Sequence, residues 1–188
     1  MSFRLGKRRI SVGYEAVAAL TAVLLLDREN RMIACFLAAV LHELGHMLMM
    51  LFFGVEVRGV SLRLFDIRIE ADSPRCMRDD LCITLGGILV NLLLAAAFVP
   101  FGRFFGYANL AMGCFNLLPV MTLDGGRLLQ ILLSCRLSPR TVDVIIRVVS
   151  FLILLPLMTA GIFALLQSGY NYSLLVISLY LSAMLILK

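Results

Sequence analysis

Long apolar runs separated by short charged turns set the pattern of this chain. Runs of about 18 or more apolar residues with few charges read as membrane spans. A first span is expected from Val12 to Leu26; it is short, and Glu15 near its start can reach the interface. The charged turn Asp27 to Arg31 leads into a second span, Met32 to Phe53, and Gly54 ends it. The period then changes. Val60, Leu62 and Leu64 alternate with Ser61 and Arg63, and Phe65, Ile67 and Ile69 alternate with Asp66, Arg68 and Glu70. Period two predicts strands, and the phase slip between Leu64 and Phe65 predicts a tight turn or bulge. Val55 to Arg58 is a further short strand candidate.

Ser73-Pro74 breaks the chain before a third span, Leu81 to Val99, which contains Gly86-Gly87 and Asn91. Small residues let helices approach closely, and an interhelical hydrogen bond is the plain role for Asn91. A fourth span starts near Tyr107 and is interrupted by Pro119, Gly125 and Gly126. Broken helices at membrane depth line sites or cavities. Arg127 to Leu137 continues as an amphipathic helix, and Ser138-Pro139 reads as a cap followed by proline at the first helical position. A fifth span covers Val142 to Leu166, Gln167 to Asn171 turns, and a sixth span ends at Leu187. The expected fold is an all-α polytopic membrane protein of about six transmembrane helices. A small β-hairpin on the cytoplasmic side joins the second and third.

Composition agrees. Hydrophobic residues make up 61% of the 188, and mean hydropathy is +0.97; a soluble domain holds about 45–50%. One domain, 1–188, suffices for this length. The net charge of +5 does not point to nucleic acid. Of the 17 Lys and Arg, 14 fall on the side holding the N-terminus, the 54–80 loop, the 121–147 region and Lys188. That asymmetry puts both termini in the cytoplasm and makes an anionic lipid surface the partner of the basic residues. The five cysteines, Cys35, Cys76, Cys82, Cys114 and Cys135, are odd in number and scattered. They read as small buried residues rather than a disulfide framework. No cleavable signal peptide is expected, because the first run lacks a small-residue cleavage site.

The chemistry lies in Leu41-His42-Glu43-Leu44-Gly45-His46-Met47, within the second span. Residues four apart share a helix face, so His42 and His46 can bind one metal ion, and Glu43 can reach a water held there. The chain has two histidines, and both are in this stretch. Neutral imidazoles suit zinc, and a carboxylate beside the water is the general base of metal-assisted hydrolysis. Ionisable groups at membrane depth are costly and mark function. A catalytic zinc takes three protein ligands and leaves a position open. Asp124 is the best third ligand, because its surroundings are both apolar and helix-broken. Asp143 and Glu15 read as interfacial charges, and Cys114 and Cys135 are weaker ligand candidates.

These motifs resemble the site-2 proteases, which are intramembrane zinc metalloproteases. That family pairs H-E-x-x-H with N-x-x-P-x-x-x-x-D-G. Here the counterparts are His42-Glu43-Leu44-Gly45-His46 and Asn116-Leu117-Leu118-Pro119 followed by Asp124-Gly125. Gly86-Gly87 to Asn91 is similar to the motif between them, with Ile88 where many members carry proline. The resemblance spans about Leu41 to Arg127, and the minimal layout looks most like the sporulation-type bacterial branch. It implies one zinc per chain held by His42, His46 and Asp124, and a catalytic core of about residues 32–136. Glu43 would be the general base and proton shuttle. Asn91 and Asn116 would orient substrate or stabilise the oxyanion. The substrate would be a single-span membrane protein whose helix partly unwinds, held by an edge strand of the 55–72 hairpin. Two other readings use the same residues: a catalytically silent chaperone or adaptor that binds membrane helices, and a transporter. The silent reading usually goes with a lost ligand or base, and the transporter with internal repeats; neither feature is found.

Overall fold

The computed structural model describes residues 2–5, 8–14, 21, 30–63, 66–169 and 173–187. Most of the expected first span lies outside these residues. Two compact units divide the chain, Met1–Cys114 and Phe115–Lys188.

In the first unit, strands β1 (Ser2–Leu5), β2 (Arg8–Val12), β3 (Val57–Arg63) and β4 (Asp66–Ala71) form one sheet in the order β1-β2-β3-β4. The expected hairpin is present as the antiparallel pair β3–β4, with Leu62 opposite Ile67 and Arg63 opposite Asp66. The register irregularity falls between Val57 and Gly59. The expected turn position, 64–65, lies outside the described residues. The hairpin is half of a larger sheet, because β2 pairs parallel to β3 and antiparallel to β1. A short alternation carries those two strands: Phe3 and Leu5 around Arg4, then Ile10 and Val12 around Ser11.

Helix α1 (Arg31–Phe52) follows the expected second span and stops where Gly54 takes a left-handed φ of 67°. Its buried residues are Ala38, His42, Gly45 and His46, one stripe at helical spacing. Leu44, Leu48, Leu51 and Phe52 face outward and are exposed. The stripe turned inward is small and polar, and the outer face is apolar, the reverse of a soluble helix. It packs on α2 (Met77–Phe98). A Cβ on Gly45 would stand 2.6 Å from the Gly86 carbonyl oxygen, so the two backbones touch where both residues are glycine. A short 3₁₀ turn, Val99–Phe101, leads to α3 (Phe104–Asn116).

The second unit contains α4 (Asp124–Ser134), α5 (Pro139–Ser168) and α6 (Ser173–Leu187). Ser138 caps α5 by accepting from the Thr141 N–H, with Pro139 in the first turn, as the sequence predicts. Val120, Leu154 and Leu181 form the core here, with Phe115, Leu118 and Leu123 against them.

Among the described residues three helical stretches are long and apolar enough to cross a membrane: Arg31–Phe52, Met77–Phe101 and Pro139–Ser168. A shorter apolar helix spans Leu174–Leu185. The chain is an integral membrane protein. The cysteines depart from the expectation of burial: Cys35, Cys76, Cys114 and Cys135 are exposed and Cys82 is half-buried. Cys35 and Cys114 lie on outward faces of α1 and α3, and Cys76 and Cys135 lie at helix ends, so none of these four reaches the interior.

Candidate metal centre

The buried stripe of α1 carries both imidazoles, with His42 5% and His46 8% exposed. Their Nε2 atoms lie 3.2 Å apart and their rings stand edge to face. The Nδ1 atoms point away from each other, toward α2. His46 Nδ1 is 2.8 Å from the Ile83 carbonyl oxygen. A carbonyl only accepts, so His46 Nδ1 donates, and its neutral ring keeps an unprotonated Nε2. His42 Nδ1 is 3.0 Å from Asn91 Oδ1, and Asn91 Nδ2 donates to the Ala38 carbonyl at 3.3 Å. That orientation makes His42 Nδ1 a donor as well. With both Nδ1 atoms donating, the facing Nε2 atoms call for a cation between them, a proton or a metal ion. Two nitrogens on a tetrahedral zinc at about 2.0–2.1 Å would be roughly 3.3 Å apart. The donors, their tautomers and their spacing fit zinc, and hydrogen bonds to the remote ring nitrogens are the usual support of histidine ligands.

Gly87 makes this geometry feasible. A Cβ there would meet His46 Nε2 at 2.5 Å and His42 Cε1 at 2.8 Å. Glu43 is next to this face and half-buried. Asn91 is fully buried and makes the interhelical hydrogen bonds expected of it.

Asn116 and Asp124 belong to the second unit. Asn116 is the last residue of α3 and half-buried. After it the chain folds back on itself: the Leu118 N–H donates to the Phe115 carbonyl, Val120 to Leu118, and Leu123 to Val120. Asp124 then opens α4, where a carboxylate suits the helix N-terminus. A Cβ on Gly125 would collide with the Leu117 carbonyl, and one on Gly126 with the Val120 carbonyl. The glycine pair allows the loop to sit against the helix start. The Met121 N–H donates at 2.8 Å to Ser150 Oγ, a fully buried hydroxyl on α5.

Sequence reasoning missed two residues in these networks, Asn109 and Ser150. The signal for each was a lone polar residue inside an apolar run. Asn109 on α3 is fully buried; its Nδ2 donates to the Phe105 carbonyl at 2.8 Å, and its Oδ1 accepts from Asn91 Nδ2 at 3.2 Å.

The sequence model of peptidase family M50 matches residues 97–157, which include Asn116, Pro119, Asp124 and Gly125. Stage IV sporulation protein FB of Bacillus subtilis is 30% identical over 131 residues, 63% of this chain and 46% of that protein. A zinc metalloprotease of Methanocaldococcus jannaschii is 31% identical over 116 residues, 54% of this chain and 34% of that protein. The chain thus spans less than half the length of these relatives. The solved structure of a site-2 protease from Methanocaldococcus jannaschii superposes with a TM-score of 0.69 at 22% identity, covering 96% of this chain and 92% of that one. The resemblance read from the motifs is matched by similarity in sequence to members of peptidase family M50 and by similarity in fold to a site-2 protease.

Proposed function

We propose that the protein is an intramembrane zinc metalloendopeptidase that hydrolyses a peptide bond within or near a membrane-spanning segment of another protein. The observation that carries this reading is the His42–His46 pair, two Nε2 atoms 3.2 Å apart with both Nδ1 atoms bonded elsewhere. The metalloprotease names of the relatives support the same chemistry. His42, His46 and Asp124 would hold one zinc ion, which would supply Lewis-acid polarisation of the scissile carbonyl and lower the pKa of a water at the site. Glu43 takes the proton from the attacking water and delivers it to the leaving amine. Asn91 holds His42, since its amide is already engaged with His42, Ala38 and Asn109. Asn116 remains for substrate orientation or the oxyanion. The sporulation-type relative is consistent with the minimal bacterial branch.

One set of variants tests the chemistry. Glu43→Gln keeps size and shape but cannot accept a proton at neutral pH. It should retain zinc and lose about 10²–10⁴-fold or more of the cleavage rate on a panel of single-span helices. Asp124→Ala should lose zinc. Equal cleavage by wild type and Glu43→Gln would sink the proposed base and favour a helix-binding adaptor or a transporter. Full zinc occupancy in Asp124→Ala would remove that ligand.

A peptide bond inside a helix is shielded by its own hydrogen bonds, so the substrate must unwind locally. The edge of β4 is the surface suited to hold it. Strand β3 lies between β2 and β4 and is not available. Counting from the closing pair Arg63–Asp66, Ile67 directs its backbone groups to the outer edge. Ile67→Pro should therefore raise KM several-fold with zinc content unchanged, whereas an unchanged KM would exclude strand pairing there. The 14-to-3 split of basic residues supports a cytoplasmic position for both termini. A reporter fused at Lys188 checks this, and an external signal would refute it.

A further inference from the structure

A chain of forced hydrogen-bond directions runs from α3 to the metal-binding face of α1. The Phe105 carbonyl can only accept, so the Asn109 atom 2.8 Å from it is the NH2 group. Asn109 Oδ1 then faces Asn91 and requires the NH2 of Asn91 at 3.2 Å. The Ala38 carbonyl, 3.3 Å from the same Asn91 nitrogen, makes the same demand more weakly. With that nitrogen assigned, Asn91 Oδ1 faces His42 Nδ1 and fixes the proton there.

We propose that Asn109 is a positioning residue that sets the His42 tautomer through Asn91, and so keeps His42 Nε2 able to take a metal. The competing state is easy to define. If Asn91 flips, its NH2 opposes His42 Nδ1 and the imidazole proton moves to Nε2. That proton can be donated to His46 Nε2 across the 3.2 Å gap, and the ligand lone pair of His42 is lost. The flip also brings three acceptor oxygens together, Asn91 Oδ1, Ala38 O and Asn109 Oδ1, with no proton among them. Asn109 supplies the closer of the two fixed acceptors. Asn91 and Asn109 are both 0% exposed, so no bulk water can substitute. Neither asparagine need touch substrate for this role.

The inference rests on the zinc reading for its purpose, but its first readout does not need zinc. The chain has only two histidines, so metal-free full-length protein with 15N-labelled histidine in micelles gives four ring-nitrogen signals. In wild type the His42 proton should reside on Nδ1. Asn109→Leu keeps the branched shape and the number of side-chain heavy atoms and removes the acceptor; part of the His42 population should shift to Nε2–H. Zinc affinity measured by chelator competition should fall about tenfold, the lower end of the range for residues that support metal ligands indirectly. As the neutral acid, the form a fully buried site favours, Asn109→Asp donates to the Phe105 carbonyl, keeps an acceptor opposite Asn91 and should restore the wild-type pattern. An unchanged His42 pattern in Asn109→Leu overturns the proposal. So does loss of the wild-type pattern in Asn109→Asp, which decides the matter if Asn109→Leu does not fold. A wild-type protein with the Nδ1–H tautomer and no zinc binding would overturn the zinc reading and leave the relay standing.

Discussion

The stripe of α1 that carries His42 and His46 and the segment that carries Asn116 and Asp124 solve the same problem by opposite means. On α1 the helix is unbroken, and periodicity alone places the imidazoles on one face. Side chains from other elements, or their carbonyls, then fix each ring. Around Asp124 the helix stops, and direction comes from backbone: a folded-back loop, a glycine pair beneath two carbonyl groups, and one N–H anchored on Ser150. The first region is positioned by side chains on regular backbone, the second by irregular backbone with one side-chain anchor. Each device suits the side chain it directs. An imidazole needs its remote nitrogen bonded to fix the tautomer, whereas a carboxylate has no tautomer and needs only direction.

The contrast can be broken most severely at Gly87. Valine there would drive its Cβ into both imidazoles, at 2.5 Å from His46 Nε2 and 2.8 Å from His42 Cε1. Overpacking costs about 1–3 kcal/mol. Taken out of metal binding, this weakens zinc affinity roughly 5- to 150-fold. Backbone helicity should be unchanged, because the clash is with ring atoms and not with the helix itself. Chelator competition and circular dichroism read the two quantities. Wild-type zinc affinity in Gly87→Val would mean that the rings do not need this space.

The same contrast explains what the sequence disclosed. His42, Glu43 and His46 were legible because helix periodicity maps spacing directly onto a face. Pro119 and Gly125-Gly126 disclosed that the backbone breaks, but not where the freed groups go; Ser150, 29 residues from its partner Met121, is silent at that level. Asn91 was visible as a polar residue in an apolar span, yet its partners lie 49 and 53 residues away, so its role needed the fold. Asn109 was passed over for the same reason. The β3–β4 hairpin was readable from a local period-two pattern. The partnership of β2 with β3 was not, since a parallel pair depends on a long crossover and leaves no turn signature. The cysteines were misjudged by a rule for soluble cores, in which small apolar residues go inside. At outward helix faces and helix ends, where these cysteines lie, that rule has no force.

The smaller test belongs to the second region. Ser150→Ala removes the acceptor of the Met121 N–H and leaves a part-buried backbone donor with nothing to replace it. Leaving such a group unsatisfied costs about 1–3 kcal/mol. The hydroxyl is fully buried, so water should not recover this loss. The penalty should be divided between global stability and the conformation of the loop before Asp124, because the N–H can regain a partner only if that loop shifts. A lower melting temperature and a kcat reduced several-fold are the expected results. Ser150→Thr is the conservative control, since it keeps the hydroxyl and adds a methyl group. If the loop needs this anchor, threonine should restore more kcat than melting temperature, because the added methyl still strains the packing of α5. A Ser150→Ala protein that is less stable but turns over at the wild-type rate would show that the glycine pair and the folded-back carbonyls hold Asp124 by themselves.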